Sequence, residues 1–441
     1  MSKNILLKSH IEELIKLFRK GYFKKTLEKT NLLIKEFGDE PFLYNLKGMA
    51  EIKNNEFFSS IISFDKAIKI KPSYIEAYNN IATSYINLGE FEKAVFFLKK
   101  VIKLKPDYTN AYNNLASVLN DQGKYEESLN IFNTLLKIDS SYPGVKENIV
   151  KILTFHEPKN KHLNIFIELN ELLKNIQLNG DFSDVNISNF YKSCDQIVLN
   201  KLDNLKFNFS QIWRRNNIDL NCNRHFDVFR NYNVIPEYCF GCFKVQIELG
   251  SLSDLFRLYF LFDKLNLKDN KSRKCITEMR PIAKGNYKGL IYCTGIDEAK
   301  SIYKILNNES QNIFKKRTII KLRRGCTEFG NAYPEYKNIN RPTNEFMKYN
   351  KHWKEKEKLV DQTYPIKNRV NQRVLNDTIK GTTLNDFLIM KNWVMYAKQI
   401  KDPDYKKFDA NIKISEHMSN NLSSQLSYRT NEFKSFGLLP K

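Results

Sequence analysis

Apolar and polar positions repeat with a fixed period along the first third of the chain. Segments 34 residues apart begin alike, with Leu43-Tyr44-Asn45, Ala77-Tyr78-Asn79-Asn80 and Ala111-Tyr112-Asn113-Asn114. Each continues with an apolar stripe of helical spacing, a turn and a second stripe. Pro72 and Pro106 follow the second stripe in two of the segments, where proline stops a helix. The period therefore predicts stacked helical hairpins that share one core.

This pattern resembles the tetratricopeptide-repeat (TPR) family, in four units at about residues 7–40, 41–74, 75–108 and 109–142. The family's packing positions are filled in the third unit by Tyr78, Ile81, Ala82, Tyr85, Ala94, Leu98 and Val101. The second unit departs with Glu51, where an apolar residue is usual, and the first unit is weaker. The resemblance implies an all-α superhelix whose concave groove holds a partner protein or peptide.

The first-helix positions between these packing residues are expected to face the groove. They carry asparagines in a repeated register: Asn45, Asn79, Asn80, Asn113 and Asn114. An amide offers two donors and an acceptor, so such a ladder could bond the backbone of an extended peptide. Asparagine is abundant throughout the chain, and a ladder without a binding role is the alternative.

Helical spacing continues through residues 145–180, which are predicted to cap or bridge the array. Residues 181–335 are predicted to form an α+β domain, with the order β-α-β-β-α-β between about 239 and 328. That order is typical of ferredoxin-like (split βαβ) topology, and right-handed crossovers place the strands in the order 4-1-3-2. Residues 336–441 are predicted to be a helical, basic and partly disordered tail.

Alternation along the four predicted strands sorts their side chains onto two faces. The face away from the helices is predicted to carry Lys244, Glu248, Glu278, Arg280, Tyr292, Lys321 and Arg323. Arg280 and Arg323 could bind an anion, and Glu248 or Glu278 could act as acid or base. A solvated or covered surface is one alternative. RNA binding is another, because RNA-recognition domains share this element order, although the first strand offers no stacking aromatic.

Five cysteines are predicted to lie toward one edge of the sheet: Cys239, Cys242, Cys275, Cys293 and Cys326. Cys239 and Cys242 form a CxxC pair, which suggests Zn or an Fe–S cluster. Cys275 and Cys326, however, belong to outer strands about 14 Å apart, whereas the sulfurs of one Zn site lie within about 4 Å of each other. Buried core cysteines are therefore the simpler hypothesis, and no cofactor is predicted.

Composition adds little to the choice between these functions. A net charge of +22 would suit a nucleic-acid partner, but lysine is scattered among Glu and Asp throughout the chain. Seven cysteines, an odd number, favour reduced thiols and a cytoplasmic location. Met1–Lys16 reads as an amphipathic helix rather than a secretory signal, and no apolar stretch reaches membrane-spanning length.

The sequence therefore predicts a protein-interaction scaffold whose α+β domain has an unknown activity. A metal- or thiol-dependent enzyme is the alternative, with RNA binding second, and whether the chain is an enzyme is left open.

Overall fold

The chain folds into two compact units. The computed structural model describes residues 3–199, 201–202, 205, 207–220, 222–281, 283–314, 317–363 and 374–436. Of these described residues, unit 1 comprises those in 3–145 and 361–363, and unit 2 comprises those in 146–360 and 374–436. Among the helices so described, none is both long and apolar enough to cross a membrane.

Unit 1 contains four consecutive helix pairs, one for each predicted repeat. Their bounds are α1 Lys3–Arg19 and α2 Phe23–Phe37; α3 Pro41–Lys53 and α4 Phe57–Ile70; α5 Ile75–Asn87 and α6 Phe91–Leu104; α7 Thr109–Asp121 and α8 Tyr125–Ile138. The predicted packing residues form the core, with Ala82, Ala94 and Leu98 fully buried and Tyr85 packed at its margin. Consecutive hairpins therefore share apolar surface, as the period requires.

The turn inside each hairpin needs one residue in the left-handed region. Gly89 and Gly123 both have φ of +74°, and Asn55 has φ of +65° at the equivalent place. Glycine adopts this backbone without steric cost, and asparagine is among the side chains that tolerate it best. The same turn thus recurs every 34 residues.

Glu51, the polar departure in the second repeat, is buried against the second helix of its own hairpin. Ser63 Oγ donates a hydrogen bond to Glu51 Oε2 at 2.7 Å, and Lys47 Nζ lies 4.0 Å from Oε1. Burial raises the pKa of Glu51, and the Ser63 bond and the Lys47 charge oppose this shift only in part. The hydrogen bond from Ser63, within the same hairpin, therefore allows the repeat to bury the Glu51 carboxyl.

Unit 2 is built mainly from the remaining elements. The helices are α9 Val145–Ile152, α10 Ile165–Lys174, α11 Asp184–Val198, α12 Cys222–Tyr232, α13 Leu252–Lys264, α14 Ile296–Ser310, α15 Thr327–Ala332, α16 Pro334–Lys337, α17 Lys354–Thr363, α18 Leu384–Gln399, α19 Tyr405–Asp409, α20 Glu416–Ser423 and α21 Leu426–Phe436. The strands are β1 Gln211–Arg214, β2 Asn216–Asp219, β3 Phe243–Leu249, β4 Arg273–Thr277, β5 Tyr287–Cys293, β6 Ile319–Arg324 and β7 Val374–Asp377.

Five of these strands form one antiparallel sheet in the order β1-β4-β5-β3-β6. The four strands predicted from the sequence lie in the predicted order, 4-1-3-2, when read from β6 to β4. β1 was not predicted, and it pairs with β4, which is therefore an inner strand rather than an edge. β4 also ends at Thr277, so Glu278 and Arg280 follow the strand instead of lying within it. β2 and β7 form a separate pair.

One face of the sheet is packed against helices. Val245, Ile247 and Ile291 on this face are fully buried. A Cβ atom at Gly289 would lie 2.8 Å from Phe262 of α13, so only glycine allows β5 to approach this helix so closely. The opposite face carries the polar residues of the alternating pattern.

The C-terminal segment, predicted to be helical, basic and partly disordered, contains helices in the part that the structure describes. Residues 402–436 include α19, α20 and α21, and buried charged side chains fix them to the rest of unit 2. Asp402 Oδ2 accepts hydrogen bonds at 2.8 Å from the Leu252 amide and from the Tyr287 hydroxyl. The fully buried Arg429 donates to the Arg280 carbonyl oxygen at 2.5 Å. These partners are distant in sequence, and composition alone does not reveal them.

Candidate functional site

In unit 1, part of the asparagine ladder bonds to itself. Asn80 Nδ2 donates to Asn45 Oδ1 at 3.0 Å, and Asn114 Nδ2 donates to Asn79 Oδ1 at 3.2 Å. Each bond joins the first helices of consecutive repeats. Asn113 is half-buried, and its side-chain amide makes no hydrogen bond within the described part of the chain. Four of the five predicted residues therefore form two hydrogen-bonded pairs between repeats. The amide of Asn113, called the uncommitted amide below, makes no such bond among the described residues.

In unit 2, strand pairing places the predicted polar residues in rows across the face without helices. Lys244 lies opposite Tyr292 on one side and Arg323 on the other. Parallel rows contain Glu248 beside Lys288, and Gln246 beside Lys321. Directly opposed residues share a face, so these side chains form one surface.

Two adjoining cavities open on this surface. The first, of about 430 Å³, is lined by five residues of the predicted site, Lys244, Glu278, Arg280, Tyr292 and Arg323, together with others that include Gln246, Lys274 and Lys288. The second, of about 360 Å³, contains the other two predicted residues, Glu248 and Lys321, along with Lys284 and Lys337. Arg323 and Cys326 line both cavities.

Glu278 is the single carboxylate of the first cavity among its described lining residues, and two cations neutralise it. Its side chain is 1% exposed, and it accepts hydrogen bonds from Arg280 Nε at 2.9 Å and from Lys288 Nζ at 2.8 Å. Burial alone would raise the pKa of Glu278. The Arg280 hydrogen bond and the Lys288 charge outweigh burial and lower the pKa to about 2. Glu278 is therefore ionised at neutral pH.

Three further cations of the first cavity have no carboxylate within 4 Å among the residues that the structure describes. Lys244 Nζ donates to the Gly325 carbonyl oxygen at 3.1 Å and lies 3.7 Å from Cys326 Sγ. Lys274 Nζ donates to Gln211 Oε1 at 2.9 Å. Arg323 donates to Gln246 Oε1 at 3.0 Å and to Thr327 Oγ1 at 3.1 Å. Their neutral partners orient these cations but leave their charge uncompensated.

An aromatic pair that the sequence did not predict lies beside the first cavity. Trp213 of β1 stacks on Tyr292 of β5, with ring centroids 5.5 Å apart, and Lys274 Nζ lies 4.9 Å from the Trp213 ring centroid. The sequence of β1, Gln211-Ile212-Trp213-Arg214, does not alternate between polar and apolar residues, although the side chains of Ile212 and Arg214 are buried and those of Gln211 and Trp213 half-buried. The strand is only four residues long, and a pattern that short is ambiguous.

The predicted cysteine group separates in the structure. Cys275 is fully buried within the sheet, and Cys293 ends β5 opposite Phe243. Cys239, Cys242 and Cys326 instead line a small space of about 20 Å³, together with Cys222, which was not predicted. Burial raises the pKa of Cys222 to about 11 and that of Cys293 to about 12. Among the described residues, no three His, Cys, Asp or Glu side chains are grouped as ligands for one ion.

Comparison with known proteins identifies the repeats. A tetratricopeptide-repeat family model matches residues 75–108, and a second tetratricopeptide-repeat model matches residues 109–133. These matches coincide with the third and fourth helix pairs, and the predicted TPR resemblance is confirmed there. Residues 75–133 are tetratricopeptide repeats. No curated protein sequence matches the chain.

Several solved structures resemble a quarter to a third of the chain. A crystal structure of MamA is 18% identical, with a TM-score of 0.29, and the match covers 31% of this chain and 80% of that one. MamA from Desulfovibrio magneticus RS-1 is 15% identical, with a TM-score of 0.31 and coverage of 33% and 82%. The first TPR of Spaghetti (RPAP3), bound to an HSP90 peptide, is 20% identical, with a TM-score of 0.25 and coverage of 25% and 89%. Scores this low carry no argument about function.

Proposed function

We propose that the chain is a protein-interaction scaffold that holds an extended segment of a partner polypeptide against the first helices of its repeat array. TPR repeats serve such a role generally, because stacked hairpins leave a long surface lined by one helix of each pair. The observation that carries the proposal is the uncommitted amide of Asn113, in the same register as the paired asparagines. Asn79 Nδ2 and Asn80 Oδ1 could add a further donor and acceptor for a peptide backbone.

A capture experiment with the full chain tests this proposal. Asn113→Ala should weaken binding of a recovered partner about fivefold, since a neutral hydrogen bond contributes roughly 1 kcal/mol. Asn130→Ala is the matched control, because Asn130 is exposed on α8, the second helix of the same repeat. Equal binding by both variants, or partners that bind as well to unit 2 alone, would remove the array from the interaction.

For unit 2 we propose a ferredoxin-like domain, extended by β1, whose polar sheet face binds a small anionic ligand. The strand order and the two helices on one face support the topology. Lys244, Lys274 and Arg323 support the ligand class, because their charges converge on one cavity without a carboxylate partner in the described structure. A cavity of about 430 Å³ is within the usual range of small-molecule sites.

Titration calorimetry with inorganic phosphate at constant ionic strength tests the ligand class. Lys274→Gln should weaken phosphate binding about tenfold, as expected for loss of one charge-assisted hydrogen bond. Lys300→Gln provides the control, since Lys300 is exposed on α14. If phosphate, sulfate and a carboxylate all fail to bind the wild-type chain, the proposal is wrong.

The two alternative functions receive less support from the described residues. A thiolate-bound metal needs at least three ligands grouped around one ion. Four cysteines, Cys222, Cys239, Cys242 and Cys326, line one small space, but no such group occurs among the described residues. RNA binding needs aromatic faces that bases can reach. Trp213 and Tyr292 supply rings, but they stack on each other, and Lys274 lies over the Trp213 ring.

A further inference from the structure

We infer that the two cavities of the sheet face form one site for a small molecule with two linked anionic groups, such as a diphosphate. This inference rests on the anion-binding function proposed above and names its ligand more closely. One anionic group would lie in the first cavity with Lys244 and Lys274. The other would lie in the second cavity, which Lys284, Lys321 and Lys337 line.

Arg323 connects the two cavities. Its guanidinium donates to Gln246 through one terminal nitrogen and to Thr327 through the other, and it lines both spaces. Both partners are neutral, so they fix the orientation of the guanidinium without cancelling its charge. A planar guanidinium with donors in a rigid fork is well suited to lie between two neighbouring oxyanions.

Both cavities carry positive charge that no carboxylate of the described residues balances, and this favours a ligand with two anionic groups. The first cavity has five cationic side chains and one carboxylate among its described lining residues. In the second cavity, Glu248 forms an ion pair with Lys321, while Lys284 and Lys337 are exposed and have no carboxylate within 4 Å among the described residues. A single phosphate could occupy only one of these positive regions. Two linked anions would use both.

The size and form of the surface favour a small molecule over a nucleic-acid strand. The two spaces measure about 430 and 360 Å³, and pockets for small ligands fall in the range of about 300 to 1,000 Å³. Arg280 bounds the first cavity, and it is fixed by Glu278 and lies 3.7 Å from Glu328. A single strand would need a continuous track and accessible aromatic faces, whereas Trp213 is already covered.

The test compares phosphate, pyrophosphate and tripolyphosphate by calorimetry with the full chain at fixed ionic strength. We expect at least one linked phosphate to bind about tenfold more tightly than phosphate, because its second group reaches the second cavity. The double variant Lys284→Gln/Lys337→Gln should abolish this gain, so that pyrophosphate and tripolyphosphate bind it no more tightly than phosphate does. Lys300→Gln/Lys304→Gln removes the same charge from exposed positions on α14 and should preserve the gain.

The outcomes separate this inference from the proposed function. If phosphate binds but the linked phosphates gain nothing, or if the gain survives in Lys284→Gln/Lys337→Gln, the two-cavity site is wrong and the anion site stands. If no phosphate or dicarboxylate binds, both fail. A dicarboxylate such as succinate that outcompetes pyrophosphate would keep the two-anion site and identify its ligands as carboxylates. Preferential binding of a single-stranded RNA oligonucleotide would overturn the small-molecule assignment.

Discussion

The repeat array and the sheet unit stabilise their buried polar groups over very different distances along the chain. In the array, Asn45 and Asn80 are 35 residues apart and Ser63 and Glu51 only 12. In the sheet unit, the buried Arg214 bonds Asp386, 172 residues away, and Arg224 bonds Glu357, 133 residues away. The array therefore depends on neighbouring repeats, whereas the sheet unit depends on segments that meet only in the complete fold.

The buried polar groups of the array and of the sheet unit also differ in charge. The buried pairs between repeats of the array are neutral, such as Asn45–Asn80 and Ser60–Ser84, and a typical neutral hydrogen bond contributes about 1 kcal/mol. The sheet unit buries complete ion pairs, and removing one partner leaves a charge in a medium of low polarity at a cost of about 3 to 5 kcal/mol. Single substitutions should therefore be tolerated in the array and should be severe in the sheet unit.

The strongest test of this comparison is Arg214→Gln. The Arg214 side chain is 2% exposed, bonds Asp386 at 3.0 Å and forms a closer ion pair with Asp263. Its loss should reduce the free energy of unfolding of unit 2 by about 3 to 5 kcal/mol, because the buried Asp386 loses its cation while Asp263 keeps only Arg215, at 3.7 Å. Urea unfolding followed by circular dichroism measures this change.

Arg230→Gln is the control for that measurement. The Arg230 side chain is 72% exposed and lies 3.8 Å from Asp227. Exposed ion pairs contribute less than about 1 kcal/mol. Equal destabilisation by the two variants would mean that burial of the ion pair does not determine its importance here.

Glu278→Gln should produce the next largest effect, with a characteristic dependence on pH. The folded state lowers the pKa of Glu278 from its ordinary value of 4.5 to about 2, a shift that corresponds to roughly 3 kcal/mol of stability at pH 7. A carboxyl with a lowered pKa stabilises the fold above its unfolded pKa, and this contribution is lost as the pH falls through the folded value. The difference between wild type and variant should therefore shrink between about pH 4.5 and pH 2 in thermal unfolding.

Glu309→Gln serves as the matched variant, because Glu309 is exposed on α14. It should leave the unfolding curve unchanged at every pH. A Glu278→Gln difference that stays constant down to pH 2 would contradict the assigned cause.

Asn114→Ala should cost about 1 kcal/mol, since it removes the amide that bonds Asn79 across two repeats. Asn113→Ala, one position earlier on the same helix, should leave the free energy of unfolding nearly unchanged, because its amide makes no such bond among the described residues. Urea titration of the two variants measures the difference. Equal losses would assign Asn113 to the repeat stack and weaken its proposed role in partner binding.

Glu51→Gln should have the smallest effect, and its sign should be opposite. Burial raises the pKa of Glu51, so ionisation costs stability as the pH rises from its ordinary value of 4.5 toward neutrality. Glutamine stays neutral, and the variant should be more stable than wild type at pH 7 by less than about 1 kcal/mol. Thermal unfolding at pH 4 and pH 7 checks that this gain grows with pH. A variant less stable at pH 7 would show that the Ser63 bond requires a carboxylate.

The same contrast explains which parts of the fold could be predicted from the sequence. The array was predictable down to its packing residues, because its information repeats every 34 residues and its contacts are local. Strands β3, β4, β5 and β6 of the sheet were predictable from alternation. β1, α11 and the packing of α19, α20 and α21 were not predicted. Their positions depend on bonds such as Trp393 Nε1 to Ser210 O and Ser188 Oγ to Lys407 O, which link residues 183 and 219 positions apart.

The candidate site shows the same division. Strand alternation placed Lys244, Tyr292 and Arg323 together, since cross-strand order follows from topology. It missed Lys274 and Lys288, although both lie on predicted strands, because the apolar residues Ile276 and Leu290 share their face. The pairing of Glu278 with two cations could not be predicted either, because it depends on where the chain turns after β4.

The Trp213–Tyr292 stack gives unit 2 a natural optical reporter. Indole emission responds to a nearby charge, and the Lys274 ammonium lies 4.9 Å from the Trp213 ring. Of the three tryptophans in the chain, Trp393 is fully buried and Trp353 packs in a separate aromatic cluster with Tyr333 and Phe240. An anion that draws the Lys274 ammonium away from the indole would change the emission of Trp213 alone. Occupancy of the cavity could thus be followed by fluorescence, without a label, in a chain that retains only this tryptophan.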